Sequence, residues 1–361
     1  MDIYISTYTV WDSYGAILQS YALDTCLRGN GFQSYDLVQK SNKFVWFYKP
    51  KTIKNLVMEM AGFYTRFPMK KRFKKINRFT GALCHYVKFA DYDSLKNLDI
   101  YHDGTVFLSG SDQVWNPALC DPFFFLDFVP EKFKKISYAA SLGISTMPDK
   151  NKQRVLDYVN AFSTISVREE EGKKILMNAG VTKPIEVSID PTFLLSAEHY
   201  RSIEKKYKNL KPGSYVLLFP IYWEKQYNPI IKEYAKKNHL KILVVRNDFS
   251  FSTFGLGHNV FDAGIEEFLW LIDNANRIVT SSFHGAAFSF IFNKPVNVIL
   301  NPVTPSRVDN MLDKFFADKS SLFLTSENLQ RTIDYSSVNK IVAEERLASS
   351  SYLIKAVTDE R

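Results

Sequence analysis

The chain has 361 residues, enough for two domains of ordinary size. Hydrophobic residues make up 46% and charged residues 23%, which excludes a disordered chain, a collagen-like repeat and a small disulfide-stapled scaffold. The formal net charge is +8 and aromatics reach 15%, a combination that suits nucleic acid, a membrane surface or a phosphorylated small molecule.

The opening Met-Asp-Ile-Tyr-Ile-Ser has neither the basic start nor the apolar stretch of a secretory signal. No window approaches the roughly 18 uninterrupted apolar residues of a membrane span. Cys26, Cys84 and Cys120 are far apart and form no Cys-x-x-Cys pair, so no metal site and no disulfide framework is expected. The expected location is the cytoplasm.

Along the chain, apolar runs of strand length alternate with helical periods, the pattern of an α/β protein with parallel sheets. Strands are expected at 3–7, 105–109, 135–139, 164–167 and 185–189, with helices at 14–28 and 169–179, the latter closed by Gly180. A domain boundary is expected at Asp190-Pro191. The second half repeats the theme, with strands at 215–219, 241–245, 277–280 and 296–299 and helices at 229–237, 265–274 and 285–292. The expected fold is two doubly wound, Rossmann-like domains, 1–190 and 191–335, facing each other across a cleft. A last helical period at 338–357, within 336–361, is expected to pack back across both domains.

The positive charge is local. From Lys40 to Arg78 there are twelve basic residues against the single Glu59, +11 in all, which leaves the remainder of the chain at −3. Phe44, Trp46, Phe47, Tyr48, Phe63, Tyr64, Phe67 and Phe73 are interleaved with these charges. A basic, aromatic insertion over 40–80 reads either as a surface for anionic membrane or as a solvated helical hairpin with buried aromatics.

Ligands of open α/β sheets sit beyond the carboxyl ends of the strands, so polar residues just after predicted strands are the candidates. The turn Ser281-Ser282-Phe283-His284-Gly285 runs from a strand into a helix. Such a turn offers free N–H groups and a positive dipole end to an anion. Gly285 permits close approach of a phosphate, Ser281 and Ser282 cap or donate, and His284 is placed to act as a general acid. Alternatively, the serines only cap the helix and His284 is a satisfied surface histidine. Arg168 has the fixed fork that grips a carboxylate or phosphate, or else it pairs with glutamates of its own helix. Asp112 stands in a Gly-Ser-Asp-Gln turn beside Gln113, Trp115 and Asn116, a concentration that suits a sugar; an ordinary turn aspartate is the other reading. Asp190-Pro191-Thr192 reads as a hinge. His85, His102, His199, His239 and His258 lack partners at metal-ligand spacing, and no phosphate-binding glycine motif or nucleophile elbow is present.

Taken together, the segments Ser13-Tyr14-Gly15-Ala16-Ile17-Leu18-Gln19, Gly110-Ser111-Asp112-Gln113-Val114-Trp115-Asn116-Pro117, Ser137-Tyr138-Ala139-Ala140-Ser141, Ser166-Val167-Arg168-Glu169, Asp190-Pro191-Thr192 and Ser282-Phe283-His284-Gly285 resemble the polysaccharide pyruvyltransferase family. The resemblance implies a glycosyltransferase-B-like fold and no cofactor. It also implies transfer of pyruvate from phosphoenolpyruvate to two hydroxyls of a sugar, forming a cyclic ketal in capsule or exopolysaccharide synthesis. For that reaction the chemistry of the donor makes His284 the expected acid and Asp112 the expected base. Arg168, Ser282, Gly285 and Arg307 would bind the donor, and Tyr14, Gly15, Gln113, Trp115 and Asn116 the acceptor. Better-studied branches carry Arg-Leu-His where this chain has Ser282-Phe283-His284. Arg307 is the candidate for the missing arginine, with Arg246 behind it. The sugar is expected on a polyprenyl diphosphate, and residues 40–78 would then hold the protein to the anionic inner face of the membrane. Nucleic acid is not an expected partner. A nucleotide-sugar glycosyltransferase and a non-catalytic carbohydrate-binding or assembly protein are the competing readings.

Overall fold

In a computed structural model that describes residues 1–9, 13–40, 53–246, 253, 255–301 and 306–359, with only the backbone course given for 53–67 and 306, the chain folds around two parallel sheets. The first half contains β1 (Asp2–Ser6), α1 (Tyr14–Gly29), β2 (Gln33–Gln39), α2 (Ile53–Leu83), β3 (Tyr86–Phe89), β4 (Val106–Ser109), β5 (Lys134–Ser137), α3 (Asp149–Asn160), β6 (Ile165–Val167), α4 (Glu170–Ala179) and β7 (Ile185–Val187). Its five-stranded sheet has the order β3-β2-β1-β4-β5, every pair parallel. Bridges from Ile136 to Thr164 and from Ala140 to Val167 carry this sheet on to the β6-β7 pair.

The second half contains α5 (Ala197–Ile203), β8 (Tyr215–Phe219), α6 (Asn228–Lys237), β9 (Lys241–Val245), β10 (His258–Val260), α7 (Ile265–Asp273), β11 (Arg277–Thr280), α8 (Phe283–Ile291), β12 (Val296–Val298), α9 (Ser306–Phe315) and α10 (Ser336–Thr358). Its sheet, β10-β9-β8-β11-β12, repeats the order of the first. The central strands are buried on both faces, as Ile3, Ile5, Phe107, Leu108, Val216 and Leu217 show. That is why they read as continuous apolar runs rather than as alternating ones. In both sheets the strand order reverses at the centre, between β1 and β4 and between β8 and β11, and this opens a crevice at their carboxyl ends.

The strands that the sequence patterns did not announce are β2 and the edge strands β3 and β10. The run of β2 is interrupted by Asp36, a wholly buried carboxylate that accepts a 2.6 Å hydrogen bond from the Ser20 hydroxyl of α1. Edge strands are short and mixed in polarity, which blunts their tendency to pair with other chains and also hides them from a search for apolar runs.

The basic insertion has a structural role. Residues 41–52, with Phe44, Trp46, Phe47 and Tyr48, lie outside the described residues, as do the side chains of Phe63, Tyr64 and Phe67. The carboxyl half of α2 leaves its own domain and packs on the second. Lys75 Nζ donates to both Glu267 oxygens at 2.8 and 2.6 Å and to the Asp262 carbonyl at 2.9 Å. The Arg72 guanidinium is buried over the Tyr14 ring and donates to the Arg246 carbonyl at 3.2 Å. Ile76 and Phe79 join the core that the domains share. The aromatics Phe73 and Phe79 are therefore buried, and of the cations at 70, 71, 72, 74 and 75 only Lys70, Lys71 and Lys74 are exposed.

Helix α10 straps the domains from behind. Val338 and Val342 pack in the core of the second domain, while Leu353, Ala356 and Val357 pack against Ile3, Ile5 and Leu108 of the first. Between these ends, Ser349 Oγ accepts from the Ile189 N–H at 3.0 Å and Arg346 donates to the Phe193 carbonyl at 2.6 Å. No helix among the described residues is long and apolar enough to cross a membrane. Replacement of the wholly buried Leu353 by alanine is expected to cost about 2–5 kcal/mol in urea unfolding. A loss below about 0.5 kcal/mol would show that the strap adds no core.

Candidate active site

The cleft brings together the loops after β4, β5, β6 and β7 of the first domain with the β11–α8 turn and the first turn of α9 from the second. At its floor lies Arg168, immediately after β6. Its Nη1 donates to Asp190 Oδ2 at 2.8 Å, its Nε to Glu169 Oε1 at 2.8 Å and its Nη2 to Ser141 Oγ at 3.1 Å. Asp190 completes the net: Oδ2 also accepts from Ser111 Oγ at 3.1 Å, and Oδ1 accepts from the Thr192 N–H and hydroxyl at 3.0 and 2.8 Å. A buried charge survives only when paired and hydrogen-bonded, and both of these are.

Asp112 follows Ser111 with a positive φ of 48°, a conformation aspartate tolerates better than most residues. Its Oδ1 accepts a 2.5 Å hydrogen bond from Arg307 Nη2, and Arg168 Nη1 lies 4.0 Å away. The two guanidinium carbons stand 4.1 Å (Arg168) and 5.7 Å (Arg307) from the centre of the Phe283 ring. Arg246 by contrast donates to Thr253 Oγ1, so Arg307 is the arginine that stands at the turn.

His284 sits in the first turn of α8, buried, with Nε2 3.8 Å from Asp190 Oδ2 and with no hydrogen-bond partner among the described residues. The ring lies flat against the start of α1. A Cβ at Gly15 would stand 2.1 Å from His284 Nδ1, so glycine is what lets the two domains close around the imidazole. Arg307 Nε is also buried without a partner among the described residues.

Burial lowers the His284 pKa, as do Arg168 and Arg307, and this outweighs the opposing pull of Asp190 and Asp112. Burial by itself would raise the Asp112 carboxyl, but Arg307, His284 and Arg168 together hold it below its ordinary value. Asp190 is likewise held low against its burial, by His284, Arg168 and the Thr192 N–H. The site thus holds ionised carboxylates around an imidazole whose neutral form burial favours.

The other expected site residues fall into two groups. Gln113, next to Asp112 and also at positive φ (61°), packs on Gly143 and stays partly exposed. Trp115 and Tyr14 do not line the cleft. Trp115 has no exposed surface; its indole N–H donates to Ser109 Oγ at 3.1 Å and its ring stacks on Phe125. Asn116 Oδ1 accepts from the Ala118 N–H at 2.9 Å, a local turn. Tyr14 stacks on Phe268 at 4.1 Å and donates to the Ala263 carbonyl, fastening α1 to the second domain. The expectation that Trp115 and Tyr14 hold a sugar gives way to core and interdomain roles.

Within the β11–α8 turn, Ser282 Oγ caps the Gly285 N–H at 3.4 Å, and Ser281 Oγ accepts from the Ile221 and Tyr222 N–H groups at 2.9 and 2.8 Å. A Cβ at Gly285 would meet Thr280 Oγ1 at 2.4 Å, so this glycine serves the close packing of α8 on its sheet. Ser111, Ser141, Glu169, Asp190 and Phe283 are the site residues whose parts the sequence reading missed. Their one signal was position: each follows a predicted strand.

Trp115→Ala is expected to lower stability by about 3–5 kcal/mol in urea unfolding, the cost of emptying a core site; unchanged stability would return Trp115 to the surface. His284 has a lowered folded-state pKa, so the stability owed to its neutral ring is complete above its ordinary value of 6.5 and is lost as pH falls below it. The melting temperature of the wild type should therefore fall more than that of His284→Gln between about pH 7.5 and about pH 5.5. Parallel curves would contradict a neutral buried ring.

A model of the polysaccharide pyruvyl transferase family matches residues 14–302. No curated protein matches the sequence significantly. Among solved structures, the chain is similar to UDP-GlcNAc 2-epimerase from Neisseria meningitidis bound to UDP-GlcNAc, at 11% identity and a TM-score of 0.52, with 99% of each chain covered. It is also similar to UDP-GlcNAc 2-epimerase from Methanocaldococcus jannaschii, at 13% identity and a TM-score of 0.50, over 95% of this chain and 91% of that one. At these identities the likeness is one of fold, and that fold is glycosyltransferase-B-like. By the match over most of its length and the two facing Rossmann-like domains, the chain belongs to the polysaccharide pyruvyl transferase family.

Proposed function

We propose that the cleft transfers pyruvate from phosphoenolpyruvate to two hydroxyls of a sugar carried on a lipid diphosphate, releasing phosphate and leaving a cyclic ketal. The observation that carries this reading is a pair of buried groups, His284 Nε2 and Arg307 Nε, that have no hydrogen-bond partner among the described residues. Both belong to residues that surround Asp112, together with Arg168. Other buried polar atoms also lack a partner among the described residues, but these two belong to residues gathered around one carboxylate, where an acceptor-bearing ligand would satisfy both. A donor with a carboxylate and a phosphate offers oxygens to both.

The chemistry follows from the charges. The donor's negative charge raises the proton affinity of His284, and the imidazolium gives that proton to the methylene carbon of phosphoenolpyruvate. The second carbon becomes an oxocarbenium-like electrophile. One sugar hydroxyl attacks it and passes its proton to Asp112. Phosphate then leaves, and the neighbouring hydroxyl closes the ring, its proton departing with the phosphate. Arg168, locked by Asp190, Glu169 and Ser141, supplies a fixed positive charge that needs no reorganisation.

The test is release of inorganic phosphate from phosphoenolpyruvate against a panel of lipid-linked sugars, with a nucleoside diphosphate compared as a stabilising ligand. Turnover is expected with at least one acceptor, and His284→Ala is expected to lose about 100-fold to 10,000-fold, the usual contribution of a general acid. Stabilisation by the nucleoside diphosphate but not by phosphoenolpyruvate would replace this reading with a nucleotide-sugar glycosyltransferase.

A further inference from the structure

The Arg307–Asp112 pair spans the cleft: Asp112 follows β4 of the first domain, and Arg307 lies in the first turn of α9 in the second. It also closes an awkward charge balance. Around the cleft stand the cations Arg168 and Arg307 and the carboxylates Asp112, Asp190 and Glu169. While His284 is neutral, an entering anion meets more negative charge than positive.

The three carboxylates are not held alike. Asp190 accepts from Arg168, Ser111 and both donors of Thr192, and its side chain is wholly buried. Glu169 accepts from Arg168 and Ser141. Among the described residues Asp112 has one close partner, Arg307, on the opposite domain, and both side chains are partly open to solvent at 18% and 17% exposure. Its backbone sits in a turn rather than in a strand or helix.

Resting on the donor reading above, we infer that Asp112, paired with Arg307, stands in the place that an anionic group of the donor takes on that arginine, so that donor binding exchanges one anion for another and frees Asp112 to act as the base. The exchange conserves charge on Arg307 and costs little desolvation, because one oxyanion replaces another. It also couples the two substrates. A carboxylate pinned by a guanidinium is a weak base; released, it regains basicity at the moment when the donor is in place to be attacked. The acceptor hydroxyl is then deprotonated only in the presence of donor, which makes the order donor first.

The experiment is titration calorimetry with phosphoenolpyruvate and, separately, inorganic phosphate, on the wild type, Asp112→Asn, Arg307→Gln and the double variant. Asparagine tolerates the left-handed turn; Asp112→Gly, which tolerates it equally, provides a second variant. If the ligand-free site is closed by Asp112 about nine-tenths of the time, either Asp112 variant binds the anions about tenfold more tightly than the wild type. That gain disappears when Arg307→Gln is combined with it. Equal or weaker binding by both Asp112 variants overturns the inference, as does a gain that persists without Arg307. Tighter binding of both anions without consumption of phosphoenolpyruvate by the wild type on any acceptor upholds the exchange and removes the donor reading. Absence of binding to every protein removes both.

Discussion

The site depends on one buried ion pair, Arg168 to Asp190 at 2.8 Å. Through it and the hydrogen bonds of Ser111, Ser141, Glu169 and Thr192, the loops after β4, β5, β6 and β7 are held at fixed distances. Removing one member leaves the other buried and uncompensated, a loss of about 3–5 kcal/mol in comparable cases. The pair's contribution is positional. It presents one guanidinium, already oriented, to the ring of Phe283, and so seats the β11–α8 turn that carries His284.

The second constraint is the closeness of the two domains. Gly15 lies against the His284 ring, Tyr14 reaches the Ala263 carbonyl, α2 pairs Lys75 with Glu267, and α10 runs behind both sheets. The reactive groups come from both halves: Arg168, Asp112 and Asp190 from the first, His284 and Arg307 from the second. Their mutual distances are therefore set by packing remote from the chemistry. The basic insertion contributes to that packing, which changes what a +11 segment signifies: Arg72 and Lys75 are interdomain fasteners, and the charge left to the surface of the described part of α2 is smaller than the sequence total implies.

How much of this was legible in the sequence varied with the kind of signal. The central strands were legible because parallel strands buried on both faces are apolar runs; β3 and β10 were not, because edge strands carry no such run. His284, Arg168 and Asp112 stood out because they follow strands directly, and the fold brings all three together with Arg307. Trp115 was misread because an aromatic beside a reactive residue resembles a sugar platform whether its face points to solvent or to the core, and sequence does not record direction; Tyr14, an acceptor residue only by resemblance, is an interdomain fastener. Asp190 was read as a hinge because Asp-Pro-Thr is also turn chemistry. Only the approach of Arg168, 22 residues away, reveals it as the anchor of the site.

The central claim is that the cleft receives an anionic donor between His284 and Arg307, with Asp112 giving way. A crystal structure of the wild-type protein with phosphoenolpyruvate tests it most directly. The account predicts donor oxygens in hydrogen-bond reach of His284 Nε2 and of the Arg307 guanidinium, Arg168 still paired with Asp190, and Asp112 turned away from Arg307. A donor seated elsewhere, with the Arg307–Asp112 pair intact, would contradict it.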